Sequence, residues 1–339
     1  MTAASVIPRR ALAALVLAAA CWGVGTVISK GAVAEVPPLT LLVVQLSTSV
    51  ITLGGAWWVL GRGRSTDPGR AVPAARRDPA LDWLGLLNPG FAYALSLVGL
   101  TQLSASLSVL LWAGEPILIL GLAWWWLRER VTRRLLGWSL AALTGMGLIV
   151  WAPGVAGQGF GVAATLAGVG CCAVYSVLTR RRIGEQSSTL RVVLGQQAWA
   201  LGLAIGLLIA GTVLAGTAAG TATATPLTTG DPPGAAALVG LPGSVSVGGW
   251  VSAIASGVMY YTLAYGCYLT GLRHVPASIA ATAFYLIPVF GVAAGWAFLG
   301  ERLEPAQWIG AAVVLGSLAA IASREAPGRN DSVVEMGES

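Results

Sequence analysis

Charged residues are scarce in this 339-residue chain: Asp, Glu, Lys and Arg make up 10% of it, where a soluble domain carries roughly 25%. With 56% hydrophobic residues, most of the surface must face something other than water. His274 is the single histidine, and the four cysteines (Cys21, Cys171, Cys172 and Cys267) lie inside apolar runs. This usage argues against a metal site and against a disulfide framework. The chain has no GxxxxGK[ST] loop, no HExxH and no GxSxG, so nothing marks it as ATP-driven or hydrolytic. No cofactor is called for. The formal net charge of +6 does not point to nucleic acid, because the arginines sit in short loops between apolar runs.

What the chain has instead is ten apolar segments, at 11–29, 38–60, 83–103, 104–127, 135–152, 160–179, 192–216, 249–269, 276–299 and 306–323. The fourth, Ser104 to Leu127, is 24 residues with one charge, Glu115. As a helix it is about 36 Å long, enough to cross a bilayer core of roughly 30 Å. The expected fold is an all-α membrane protein of ten transmembrane helices. The first segment is not a cleaved signal, because its apolar run continues past Cys21 to Ile28. With the N-terminus placed in the cytoplasm, 18 of the 20 basic residues fall on that side and only Lys30 and Arg302 fall outside. That asymmetry puts both termini in the cytoplasm of a bacterial-type inner membrane. Gly61–Asp82 reads as a basic cytoplasmic linker, Ala215–Gly248 as a flexible outer loop, and 324–339 as a disordered tail.

The chain repeats itself. Shifted by 172 residues, 92–130 matches 264–302 at twelve positions, among them Tyr93/Tyr265, Pro116/Pro288, Trp124/Trp296, Glu129/Glu301 and Arg130/Arg302. A shift of 150 aligns the first helix with the sixth, through Cys21/Cys171, Val24/Val174 and Val27/Val177. The units are 11–152 and 160–323. Five helices per unit is an odd number, so the second unit enters the membrane the opposite way. Inverted repeats of this kind are common among secondary transporters.

Three stretches carry a resemblance: ACWGVGTVISK at 20–30, PILILGLAWWWLRER at 116–130 and TGLRHVPASIAATAFYLIPVFGVAAGWAFLGERL at 270–303. Together they resemble the drug/metabolite transporter superfamily, EamA type, over residues 11–323. The resemblance implies a 5+5 inverted arrangement and a central cavity walled by helices 1, 3, 4, 6, 8 and 9. It also implies movement of a metabolite or drug, often the export of amino acids or related small molecules.

Glu115 is the foremost candidate residue. It falls near the midplane, where burial disfavours its charged form. It is suited to exchanging a proton or pairing with a cationic substrate, and its alternative role is a structural carboxyl. Its counterpart in the repeat is Ile287, so it breaks a symmetry that Pro116 and Pro288 keep. Each of these prolines removes a helical N–H and frees a carbonyl four residues back, as a packing kink or a gating element. Asn88-Pro89-Gly90 is a second break, at which Asn88 either binds substrate or satisfies backbone. Ser108, Trp112 and Glu115 share one helix face. Tyr261, Tyr265 and Tyr268 share another, and Ser278, Thr282 and Tyr285 a third. Trp22, Tyr93 and Tyr175 complete the expected aromatic walls, which suit planar or cationic ligands. Gln45, Gln196 and Gln197 read as interhelical hydrogen bonders. Glu301 is expected to pair with an arginine, and Lys30 to snorkel to the outer interface.

The reading is a secondary transporter, not an enzyme, that moves a small organic metabolite, amino acid-like compound or drug by alternating access. Protons are a further partner through Glu115. A membrane-embedded enzyme and a non-transporting receptor or scaffold are the alternatives. The enzyme would need a catalytic constellation, and the scaffold would not need broken, polar-lined helices in both halves.

Overall fold

The computed structural model describes residues 9–62, 79–127, 133–152, 155–182, 189–219, 234–239, 245–272 and 283–325. Most of Gly61–Asp82, the middle of Ala215–Gly248 and nearly all of the 324–339 tail lie outside these residues. Every regular element among the described residues is helical. The first half contains α1 (Arg9–Val33), α2 (Pro38–Arg62), a short α3 (Pro79–Trp83), α4 (Ala92–Gln102), α5 (Ala105–Trp112), α6 (Glu115–Leu127) and α7 (Arg133–Val150). The second contains α8 (Gly159–Arg182), α9 (Thr189–Ala219), a short α10 (Ala235–Val239), α11 (Val247–Gly257), α12 (Ala264–Leu272), α13 (Ile287–Leu299) and α14 (Pro305–Glu325). A tight turn at Leu84–Leu86 and a wide π turn at Leu87–Phe91 join α3 to α4. A second π turn, Val258–Leu263, joins α11 to α12, and a tight turn at Ala283–Leu286 leads into α13.

Among the described residues, five stretches are long and apolar enough to cross a bilayer: 9–33, 38–59, 79–102, 159–179 and 190–217. The last has a mean hydropathy of 2.1, yet only 11% of its most apolar window is buried. Water would penalise that surface, whereas hydrocarbon does not. The chain is a multi-pass membrane protein. Three further apolar helices, at 105–119, 136–150 and 287–299, are shorter. The difference from ten unbroken spans lies at the breaks. Segment four is divided at Ala113–Gly114, segment eight is interrupted by its π turn, and α13 starts only at Ile287.

Helix boundaries repeat along with the residues. The interval of 172 from Glu115 to Ile287 carries the whole of α6 onto α13. The same interval brings the starts of α4 and α7 onto those of α12 and α14, and one π turn onto the other to within a residue. The interval of 150 from Arg9 to Gly159 brings α1 onto α8. Packing follows the same rule. α1 packs on α11, α12 and α13 of the other half, while α8 packs on α4, α5 and α6. α2 pairs with α9, and α7 with α14. Exchanging each helix for its counterpart carries the packing of α1 on α12 and α13 onto that of α8 on α4 and α6, and leaves the α2–α9 and α7–α14 pairs unchanged.

Glycine permits the closest crossings. A Cβ on Gly85 would lie 2.0 Å from the Gln196 carbonyl oxygen, and one on Gly257 would lie 2.8 Å from the Gln45 Cα. Gly85 and Gly257 are counterparts, and so, within a residue, are Gln196 and Gln45. At the α7–α14 crossing, a Cβ on Gly145 or Gly310 would meet the other's carbonyl oxygen at 2.8 or 2.6 Å.

Polar side chains tie the same crossings, as expected for the glutamines. Gln45 Nε2 donates to Ser29 Oγ at 3.0 Å and to Ser256 Oγ at 2.7 Å. Gln196 accepts from the Tyr175 hydroxyl at 2.9 Å and donates to the Leu81 carbonyl at 3.1 Å. Gln197 Nε2 donates to the Tyr261 carbonyl, in the π turn, at 3.4 Å. Interhelical hydrogen bonds in membranes average about 0.6 kcal/mol each. Gln196→Leu, which breaks two, is expected to cost about 1 kcal/mol and to lower the thermal unfolding midpoint in detergent by roughly 2–4 °C.

Three ties cluster at the end of the bundle that holds the α1–α2 and α13–α14 loops; those of Glu301 and Glu35 join the halves, and that of Lys30 lies within the first half. After α13 the chain turns at Gly300, with φ 65°, and presents Glu301. Its carboxylate does not take the expected arginine; it accepts the backbone N–H of Ala105 at 2.7 Å and of Ser106 at 2.8 Å. The first N–H groups of α5 need acceptors and carry partial positive charge, so the helix start is the stronger attraction. Lys30 donates to the Leu100 carbonyl at 2.8 Å and so caps α4, where a free interfacial ammonium was expected. Glu35 accepts the Ser246 N–H at 2.9 Å, at the start of α11.

Hydrogen bonds from the Ser246 side chain and backbone hold the Glu35 carboxyl below its ordinary value of 4.5. A depressed value in the folded state means that this tie is intact above the ordinary value and lost as pH falls through the lower one. The Ser246 amide should therefore lose hydrogen-exchange protection, corrected for intrinsic rate, on acidification below about pH 4. Glu35→Gln should remove that acid dependence.

Candidate functional site

The site is built around the break in the fourth segment. Trp112 ends α5 and Glu115 begins α6. The Gly114 carbonyl takes the N–H groups of Ile117 and Leu118 at 3.1 and 3.2 Å. Pro116 is the second residue of α6, and Pro288 holds the same place in α13. A first-turn N–H has no partner within the helix, so proline fits there at little cost. The two prolines therefore restart helices, in place of the packing kink within a continuous helix that was one of their two expected roles.

Glu115 reaches across to the second half. Its Oε1 accepts from Cys172 Sγ at 3.1 Å and from Ser176 Oγ at 3.3 Å. Those donors are one turn apart on α8, so they share a face. The start of α6 adds partial positive charge that favours an anion there. Tyr260 and Tyr268, from the π turn and α12, lie close enough to feel the carboxylate electrostatically.

Rings fill the space between the halves. Tyr93 stacks on Trp112 with centroids 5.5 Å apart and planes at 17°. Tyr93 also meets Tyr260 and Tyr261 edge-on, at 5.2 and 5.3 Å. Trp22 of α1 is surrounded by Tyr265, Tyr268 and Phe284 at 5.4, 5.8 and 5.4 Å. Tyr260 packs against both groups and joins them. Trp112 Nε1 donates to Ser96 Oγ at 3.0 Å. Among the described residues no acceptor meets the Trp22 indole N–H.

The expected stripe Tyr261, Tyr265 and Tyr268 is divided. Tyr261 belongs with Tyr93 and α2, whereas Tyr265 and Tyr268 belong with Trp22. The π turn at Val258–Leu263 fits more than 3.6 residues into a turn, which rotates the register between Tyr261 and Tyr265. That rotation brings in Tyr260, a residue the spacing argument passed over. Cys172 and Ser176 were also missed. A signal was present in the sequence: α8 is the counterpart of α1, and at the shift of 150 Cys172 aligns with Trp22, itself a candidate, and Ser176 with Thr26.

Other expected residues have other places. Tyr175 is close to Tyr265, but its hydroxyl is engaged by Gln196. Ser108 is buried one turn before Trp112. Asn88 is buried and extended, at φ −142° and ψ 118°, in the turn ahead of α4, and a cis peptide joins it to Pro89. This turn packs on α8 and α9, and no hydrogen bond or ring contact among the described residues links Asn88 to Glu115 or the ring cluster. The Tyr285 side chain, Ser278 and Thr282 lie outside the described residues. A cavity of about 540 Å³ lies elsewhere, between α13 and α14.

The sequence matches the EamA-like transporter family twice, over residues 9–151 and 159–323. The chain belongs to the EamA-like transporter family. Two EamA units thus account for nearly all of it, as a member of the drug/metabolite transporter superfamily, and members of this family are transporters. Among curated proteins a sequence search finds no match. One crystal structure aligns with 93% of this chain and 99% of its own, at a TM-score of 0.54 and 17% identity. That likeness concerns the fold. For this EamA protein it bears on the helix arrangement alone.

Proposed function

We propose that this EamA protein is a secondary carrier. It exports a small organic compound, amino acid-like or drug-like, across a bacterial-type inner membrane by alternating access. The observation that carries this reading is Glu115: a carboxylate at a helix break, held by Cys172 and Ser176 of the opposite half and within electrostatic reach of Tyr260 and Tyr268. A proton or a cationic substrate group can each neutralise it, so the two compete for one site. Ring faces from Trp22, Tyr93, Trp112 and Tyr265 suit a planar or cationic body, and the Trp22 indole N–H offers a donor to an acceptor on the same molecule.

Ten spans in two inverted five-helix units, 11–152 and 160–323, with both termini cytoplasmic, complete the proposal. The 18-to-2 division of basic residues and the matched packing of α1 on α12 and α13 and of α8 on α4 and α6 support it. The breaks at Pro116 and Pro288 then serve as paired hinges, and those at Asn88-Pro89 and the π turn before α12 as a second pair.

Uptake by proteoliposomes, with and without a pH gradient, tests the reading across a panel of small amines, amino acids and aromatic cations. Saturable flux of at least one compound is expected, accelerated by an opposing proton gradient. Neither gradient-driven flux nor counterflow for any compound would favour a non-transporting scaffold.

A further inference from the structure

The cavity of about 540 Å³ runs between α13 and α14, with Leu110 of α5 at its base. Val289, Val292, Trp296 and Trp308 make its walls, and its charged residues, Glu301 and Arg302, lie together in the α13–α14 loop. Both carboxylate oxygens of Glu301 are taken by the Ala105 and Ser106 N–H groups. Arg302 is exposed, and among the described residues no hydrogen bond or ion pair engages its guanidinium. The groove therefore joins an apolar trough to one unmatched cation.

We propose that it holds an acyl chain of an anionic phospholipid, with the headgroup phosphate on Arg302. The level is right: Trp296 stands one turn before the end of α13 and Trp308 in the first turn of α14, where aromatic belts meet headgroups. The charge is complementary, since a guanidinium donates to two phosphate oxygens at once in a bidentate fork. The shape suits a lipid better than a second copy of the chain. Helices that associate in a membrane present small residues to one another, as Gly145 and Gly310 do here. The rims of this groove are tryptophans, 64% and 57% exposed. Occupancy would brace the same loop that holds the start of α5 through Glu301. The lipid site is separate from Glu115 and stands whether or not the transport reading does.

Native mass spectrometry of the detergent-purified chain, titrated with dioleoyl-phosphatidylglycerol and dioleoyl-phosphatidylcholine, tests it. The anionic lipid should bind more tightly. Arg302→Gln should weaken it about fivefold, ~1 kcal/mol, and weaken the zwitterionic lipid less, because its choline ammonium already offsets the phosphate charge. Val289→Trp, which fills the trough from an exposed position, should weaken both lipids, and thermal unfolding checks that both variants fold. Unchanged phosphatidylglycerol binding in the two variants overturns the proposal. So does full displacement of the lipid by inorganic phosphate, which marks a free-phosphate site. A change of oligomeric mass in Val289→Trp also overturns it, by marking a protein interface.

Discussion

Glu115→Gln should lower gradient-driven transport by roughly 10- to 150-fold while the protein stays folded. The size follows from losing one hydrogen bond to a charged group, worth about 1.5–3 kcal/mol, at tenfold per 1.4 kcal/mol. Folding should survive because the glutamine oxygen can still accept from Cys172 and Ser176, the two donors that Glu115 Oε1 now engages. Initial uptake rates with and without an imposed pH gradient check the first part, and thermal unfolding in detergent checks the second. A purely structural carboxyl would behave differently: uptake would change only in proportion to the loss of folded protein. The repeat sharpens the contrast. The aligned residue is Ile287, at the start of an equally long helix carrying the same proline, so the frame forms without an acid at that position.

The second large effect is on folding. Gly85→Ala and Gly257→Ala each force a Cβ onto the backbone of α9 or α2, where a flexible side chain could not yield in its place. Overpacking typically costs 1–3 kcal/mol and occasionally more, and the 2.0 Å approach at Gly85 belongs at the upper end. The expected result is a fall of about 3 kcal/mol for Gly85→Ala, or at least ~6 °C in unfolding midpoint, with a smaller fall for Gly257→Ala. Gly54 is the control. A Cβ there meets nothing within 4 Å, so Gly54→Ala should gain up to about 1 kcal/mol from helix propensity alone. Equal midpoints in all three variants would remove the glycine crossings from the description of how the halves meet.

Much of this fold can be read from the residues. Long apolar runs located the segments, and the recurrence of Pro116, Trp124 and Glu129 at Pro288, Trp296 and Glu301 located the repeat. Helix boundaries then fall at the same intervals, because the same local chemistry starts and stops each helix twice. The site was less legible, for reasons particular to it. The face assigned to Tyr261, Tyr265 and Tyr268 assumed 3.6 residues per turn, and a π turn intervenes. Polar residues of modest character, Cys172 and Ser176, gain importance only once α8 is set beside α6. Glu301 was expected to seek a cation, yet a helix start offers two N–H donors at once. Each of these depends on which helix lies beside which, and spacing along one helix does not carry that information.

The central claim is that one carboxylate, Glu115, serves proton and substrate in turn. Proton movement during substrate flux tests it most directly. Proteoliposomes containing the wild-type chain and an internal pH dye are given a transported compound under conditions with no imposed gradient. Substrate entry should drive protons outward, so the lumen should turn alkaline in step with uptake, and Glu115→Gln should abolish the change. Substrate flux with no change in lumenal pH, or an unchanged signal in Glu115→Gln, would contradict it.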